Sequence, residues 1–175
     1  MSNTLNKRDV GDNIGWNITI YYKKKLNSIS KLLNLIADKR MNSFSFNLHT
    51  SFNRNSKYFS IYSIKVLKII SKTSQSVGIF NCGIKRNYLQ SILSSYSQGK
   101  SLRFKKCNLD TCGFTLSETV NCQISFLYFI NCSFYNGLSG EKSNEYFLDL
   151  LKAISKTQMK KTLRQIDIQL PQLGC

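Results

Sequence analysis

The apolar residues of this chain recur at a fixed interval, and that interval limits the fold more than any single residue does. Val77, Ile79, Cys82 and Ile84 stand at offsets 0, 2, 5 and 7. Leu102, Phe104, Cys107 and Leu109 repeat those offsets 25 residues later, and Leu127, Phe129, Cys132 and Phe134 repeat them after another 25. Cysteine holds the same slot each time. Self-similarity at such a period marks a repeat array, in which one unit cannot bury its apolar face alone and neighbours stack into a continuous core. Arrays of this kind more commonly bind than catalyse.

Offsets 0 and 2 place two apolar side chains on one face of a short strand, because strand side chains alternate. The chain must then turn out of the strand, with a small buried group at offset 5 and another inward apolar residue at offset 7. This pattern resembles the leucine-rich repeat, whose segment reads L-x-x-L-x-L-x-x-N/C-x-L. Cys82, Cys107 and Cys132 stand in its Asn/Cys slot, and the leading position holds Ser74, Gly99 and Ile124, so two of the three units depart from the pattern there.

Fainter copies extend the array in both directions. Leu163, Ile166, Ile168 and Leu173 fit downstream, with Pro171 in the cysteine slot. Upstream, Met41, Phe44 and Phe46 fit with His49 in that slot, and Trp16 and Ile18 open a further strand. Strand starts at 16, 44, 77, 102, 127 and 166 predict about six strand–helix units, spaced by 28, 33, 25, 25 and 39 residues. Residues 1–12 read as a polar N-terminal tail and 13–175 as one repeat domain.

The segments between strands carry helical periodicity. Leu26, Ile29, Leu33 and Ile36 form a stripe within Lys23–Arg40, and Tyr62, Val66, Ile69 and Ile70 form one within Tyr58–Ser71. Leu89, Ile92, Leu93 and Tyr96 do so within Lys85–Gln98, and Phe147, Leu150, Leu151 and Ile154 within Glu141–Gln158. After Leu109 the segment is short and contains Gly113, which predicts an irregular turn or a brief helix. The fold class is α/β. Crossover helices on an ordinary parallel sheet are the competing architecture, but strands of about four residues and a recurrent cysteine slot favour repeats. The long intervening helices resemble the ribonuclease-inhibitor-like branch. That resemblance implies a horseshoe segment with a concave parallel sheet and helices on its convex side.

Neither end has an obvious polar capping unit, which predicts a piece of a longer array or an open edge that associates. The sequence has no apolar run near 18 residues, the length a membrane span requires, and its polar start lacks the apolar core of a signal peptide. The expected location is the cytosol or nucleus, where the 6 cysteines stay reduced. No C-x2-C pair occurs and there is 1 histidine, so no metal site is expected. His49 has no serine or cysteine paired with it by motif, and the 9 carboxylates are scattered, which predicts no enzymatic activity and no cofactor.

The formal charge is +16, and from Lys39 to Leu109 there is no Asp or Glu. Such a field suits an acidic protein, nucleic acid or an anionic surface. Abundant Lys, Asn, Ile and Phe with scarce Ala also fit an A/T-rich genome, which supplies lysine without reference to a ligand.

In the resembled family the residues alternating with buried strand positions face the concave surface, where partners bind. Here these are Asn17, Ser45, Gly78, Arg103, Tyr128 and Asp167, then Thr19, Asn47, Phe80, Lys105, Ile130 and Gln169. Phe80, Arg103, Lys105, Tyr128 and Ile130 combine aromatic, aliphatic and basic groups, the composition of an interface's energetic centre. They are the candidate binding residues. The expected function is protein–protein recognition, with nucleic-acid binding through the basic stretch 39–109 as the alternative. If the register were off by one, Phe80 or Tyr128 would instead be buried.

Overall fold

A computed structural model describes residues 5–10, 13–21 and 43–49 as paired strands, together with residues 76–96, 101–120 and 122–170. The expected helices over 23–40 and 58–71, the leading positions Met41, Ser74 and Gly99, and Pro171 and Leu173 lie outside the described residues. The architecture is α/β, with parallel sheets and helices.

The larger sheet contains β1 (Leu5–Val10), β2 (Asn13–Tyr21), β3 (Ser43–His49), β4 (Ser76–Phe80), β6 (Ser101–Lys105), β8 (Phe126–Ile130) and β10 (Gln165–Gln169). They lie side by side in that order. All neighbours are parallel except β1 and β2. A smaller parallel sheet is formed by β5 (Gly83–Ile84), β7 (Asn108–Asp110) and β9 (Ser133–Tyr135).

The 25-residue period is realised as register. Val77 pairs with Leu102 and Leu102 with Leu127, while Ile79 pairs with Phe104 and Phe104 with Phe129. Each of these six side chains is almost completely buried. Phe104 and Phe129 stack at 5.4 Å between centroids, and Phe129 meets Phe134 and Phe147 edge-on at 5.8 and 5.6 Å. The row continues into β10, where Ile166 pairs with Leu127 and Ile168 with Phe129. No strand covers the far side of β10 in the described sheet, and Ile168 there is 39% exposed.

Between the sheets the chain turns in the same way three times. Asn81, Lys106 and Asn131 have φ of 55°, 54° and 51°. In this left-handed conformation their N–H groups donate to Lys105, Ile130 and Gln169, continuing the ladder to the neighbouring strand. Asn tolerates this region better than most side chains do, whereas Lys is poorly suited to it. The next residue is the repeated cysteine. The thiols of Cys82, Cys107 and Cys132 donate to carbonyls two residues back, at 3.1, 3.5 and 3.6 Å. The slot therefore holds a small buried group whose weak donor adds to the bond that the Lys105 and Ile130 carbonyls already accept from the neighbouring turn. Burial pushes the Cys107 thiol well above its ordinary pKa.

Helix α1 (Arg86–Ser95) follows β5, and α2 (Glu145–Ser155) follows β9. They bury Leu89, Ile92 and Leu93, and Phe147, Leu150, Ala153 and Ile154 respectively. These are largely the stripes expected from the sequence. Tyr96, just past α1, is buried and donates its hydroxyl to Ser101 O at 2.8 Å. Nothing helical forms between β7 and β8 among the described residues. A short helix α3 (Met159–Thr162), separate from α2, leads into β10.

Two expectations need correction. Within residues 1–12, expected as a polar tail, Leu5–Val10 forms β1 and pairs antiparallel with β2. A polar strand suits a sheet edge, where it makes no demand for a second buried face. The register of β3 on β4 is also shifted. Val77 pairs with Phe46 rather than Phe44, while Trp16 pairs with Phe44 and Ile18 with Phe46 as the expected strand starts align them. The shift is two residues, so it preserves alternation while moving His49 out of the cysteine slot and into register with Phe80.

Candidate binding face

The strand residues that alternate with the buried ladder lie on the opposite, open face of the larger sheet. The first row there is Ser76, Ser101, Phe126 and Gln165; the second is Gly78, Arg103, Tyr128 and Asp167; the third is Phe80, Lys105, Ile130 and Gln169. The structure thus brings all five candidate residues onto three adjacent strands. Phe80, Tyr128 and Ile130 are half-buried, Arg103 and Lys105 are exposed, and the interleaved Val77, Ile79, Leu102, Phe104, Leu127 and Phe129 are buried. A register slip of one would have reversed this pattern.

The observed pairing of β3 with β4 changes which residues extend these rows. Thr19 and Asn47, rather than Asn17 and Ser45, align with Gly78, and Tyr21 and His49 align with Phe80.

The centre of the face is preassembled. The Arg103 guanidinium lies 5.0 Å from the centre of the Tyr128 ring, a cation–π contact between neighbouring strands. Tyr128 is also stacked with Phe126, with centroids 6.5 Å apart and planes 16° from parallel. Ser101 donates to Ser76 at 2.7 Å. Among the described residues, ion pairs join Arg86 to Asp110 and Lys152 to Asp149, both away from this face. Neither Arg103 nor Lys105 has a carboxylate partner among the described residues.

Phe126 was not among the residues selected from the sequence. It precedes the motif's first apolar position, yet Phe126, Tyr128 and Ile130 alternate at period two, which is the signal for one strand face.

A second polar cluster supports the scaffold. Asp110, only 8% exposed, accepts from Gly137 N at 3.0 Å and more weakly from Arg86 N and its guanidinium, each at 3.4 Å. Its carboxylate sits at the start of α1, whose own capping residue, Lys85, makes no side-chain cap. A negative group there offsets the helix dipole. The Gly137 N–H bond also anchors the loop between β9 and α2, and a Cβ on Gly137 would collide with the Asp110 carboxylate. Leu138, 96% exposed, lies near the tip of this loop.

Comparison of the chain with protein-family models, with curated proteins and with solved structures finds no match. No helix among the described residues is long and apolar enough to cross a membrane.

Proposed function

We propose that this chain is a short leucine-rich-repeat-like solenoid, with a concave parallel sheet, helices on the convex side and no enzymatic activity. Its work is recognition of a protein partner through the open face of the larger sheet. The observation that carries this reading is the Arg103–Tyr128–Phe126 arrangement, flanked by Phe80, Lys105 and Ile130. The fold makes no use of these side chains for its buried ladder. Aromatic and arginine groups held rigidly at the middle of a surface form the energetic centres of interfaces, and holding them rigidly lowers the ordering cost of association.

A ladder of fixed inward residues leaves the outward positions free to carry specificity. The test is capture of a protein from an extract of the cells that make this chain, using the immobilised full chain. Tyr128→Ala and Arg103→Ala should abolish the capture, while Leu148→Ala on α2, a position 51% exposed, should leave it intact. Capture that survives both sheet changes and fails with Leu148→Ala would place recognition on the helices instead.

A further inference from the structure

We infer that the open face accepts an extended acidic segment of the partner, with carboxylates at alternate positions running along β6; this rests on the face being the recognition surface. Arg103 and Lys105 are two positions apart on one strand, so their Cα atoms are separated by roughly 6.6 Å. Alternate side chains of an extended ligand have that same spacing, so two carboxylates at i and i+2 meet both cations at once. The formal charge of +16 favours encounter with such a segment.

The surroundings define a lane for it. Phe80 and Ile130 flank Lys105 in the third row, offering apolar contact on both sides. In the second row Gly78, which is buried and has no side chain, lies on one side of Arg103, and Tyr128 stands on the other. Asp167, the next residue in that row beyond Tyr128, repels a carboxylate and confines the acidic lane to β4, β6 and β8.

Aromatic and basic residues on a sheet also describe a single-stranded nucleic-acid platform, but such platforms stack bases on open ring faces. The Phe126–Tyr128 separation of 6.5 Å matches the step between alternate residues, so these two rings stack along the strand. Arg103 engages the Tyr128 ring as well. One face of the Tyr128 ring is therefore covered, and Arg103 and Lys105, neither with a carboxylate partner among the described residues, are the charged groups a ligand meets. Two cations at the spacing of alternate side chains suit carboxylates at i and i+2, and stacking of bases is the competing mode.

The test is fluorescence anisotropy of the full chain with a labelled peptide of alternating glutamate and tyrosine. A peptide of equal composition with its glutamates in one block, and a labelled oligothymidylate, serve as comparisons. The alternating peptide should bind most tightly, and joint Arg103→Glu and Lys105→Glu should weaken it by about tenfold or more. Joint Lys156→Glu and Lys160→Glu, an equal charge change at exposed positions off this face, should weaken it far less. Equal weakening by both pairs would overturn the inference, since only net charge would then be at work. Oligothymidylate binding that depends on Arg103 and Lys105, without peptide binding, would overturn it in favour of nucleic acid. Binding of neither probe would overturn it too; if Tyr128→Ala still abolished protein capture, only the ligand chemistry would be wrong, and otherwise the recognition reading would fall with it.

Discussion

Arg103 reaches from β6 to the Tyr128 ring on β8, 5.0 Å from its centre, on the face of the sheet opposite the core. Neither side chain is needed to fill the interior, so the two report on recognition with little interference from folding. An exposed cation–π contact contributes about 0.5–1 kcal/mol. Arg103→Ala should lower unfolding stability by about 1 kcal/mol at most, and Tyr128→Ala, half-buried beside Phe126, by about 1–2 kcal/mol, measured by urea titration. A loss of several kcal/mol would show that the pair braces the fold.

The inward ladder should behave differently. Leu102→Ala and Phe104→Ala each empty a buried position and should cost about 2–5 kcal/mol. Ile168→Ala, in the same row as Phe104 and Phe129 but 39% exposed at the edge, should cost well under half as much. Thermal melting of the three variants checks this gradient, and equal losses at the centre and the edge would contradict the proposed packing.

Lys106 occupies a turn position where its two counterparts are asparagine, with φ of 54°. Its side chain is exposed, so replacing it removes no core contact. Lys106→Asn should stabilise the chain by about 0.5–1 kcal/mol, because asparagine is favoured in the left-handed region. An unchanged or lowered denaturation midpoint would contradict the repeated turn.

Gly137 and Asp110 form a coupled pair. Gly137→Ala should displace the carboxylate and cost about 1–3 kcal/mol through the hydrogen bonds it accepts in a buried site. In an Asp110→Ala background the same change should cost little, since the obstructing atoms are gone. A double-mutant cycle measures this coupling directly. Additive losses would mean that the loop is held by something else.

Burial raises the Cys122 thiol from 9.0 to about 12. The folded chain thus holds that proton more tightly than the unfolded chain, and stabilisation is full below the ordinary thiol range. It is lost as pH rises from 9.0 through about 12, because the unfolded thiol ionises first. Urea midpoints should therefore fall between about pH 8 and about pH 10, and Cys122→Ala should flatten the fall. A thiol reagent at neutral pH should label the partly exposed Cys112 well before Cys82, Cys107, Cys122 or Cys132.

The parts of the fold legible in sequence are those in which apolar spacing and register coincide. From Val77 to Phe134 the offsets recur without insertion, so the inward rows and the five candidate residues of the open face follow from alternation alone. Upstream, Trp16 and Phe44 are themselves apolar, and alternation cannot distinguish a correct register from one shifted by two. Only pairing to Val77 resolves it. β1 escaped notice because its residues are mostly polar, although Gly11-Asp12 between two strand-length segments is a hairpin signature. The left-handed turn was visible only as two asparagines out of three, Lys106 breaking the pattern. Asp110 carries no sequence signal for its role, since its partners Arg86 and Gly137 are distant in the chain.

The most direct test places a photo-crosslinking residue in the full chain at Phe80 or Ile130 on the open face, and separately at Leu148 on α2. One protein partner should be crosslinked from Phe80 and Ile130 and not from Leu148, and Arg103→Glu should remove the product. Crosslinking from Leu148 alone, or a product indifferent to Arg103→Glu, would contradict recognition through the open face.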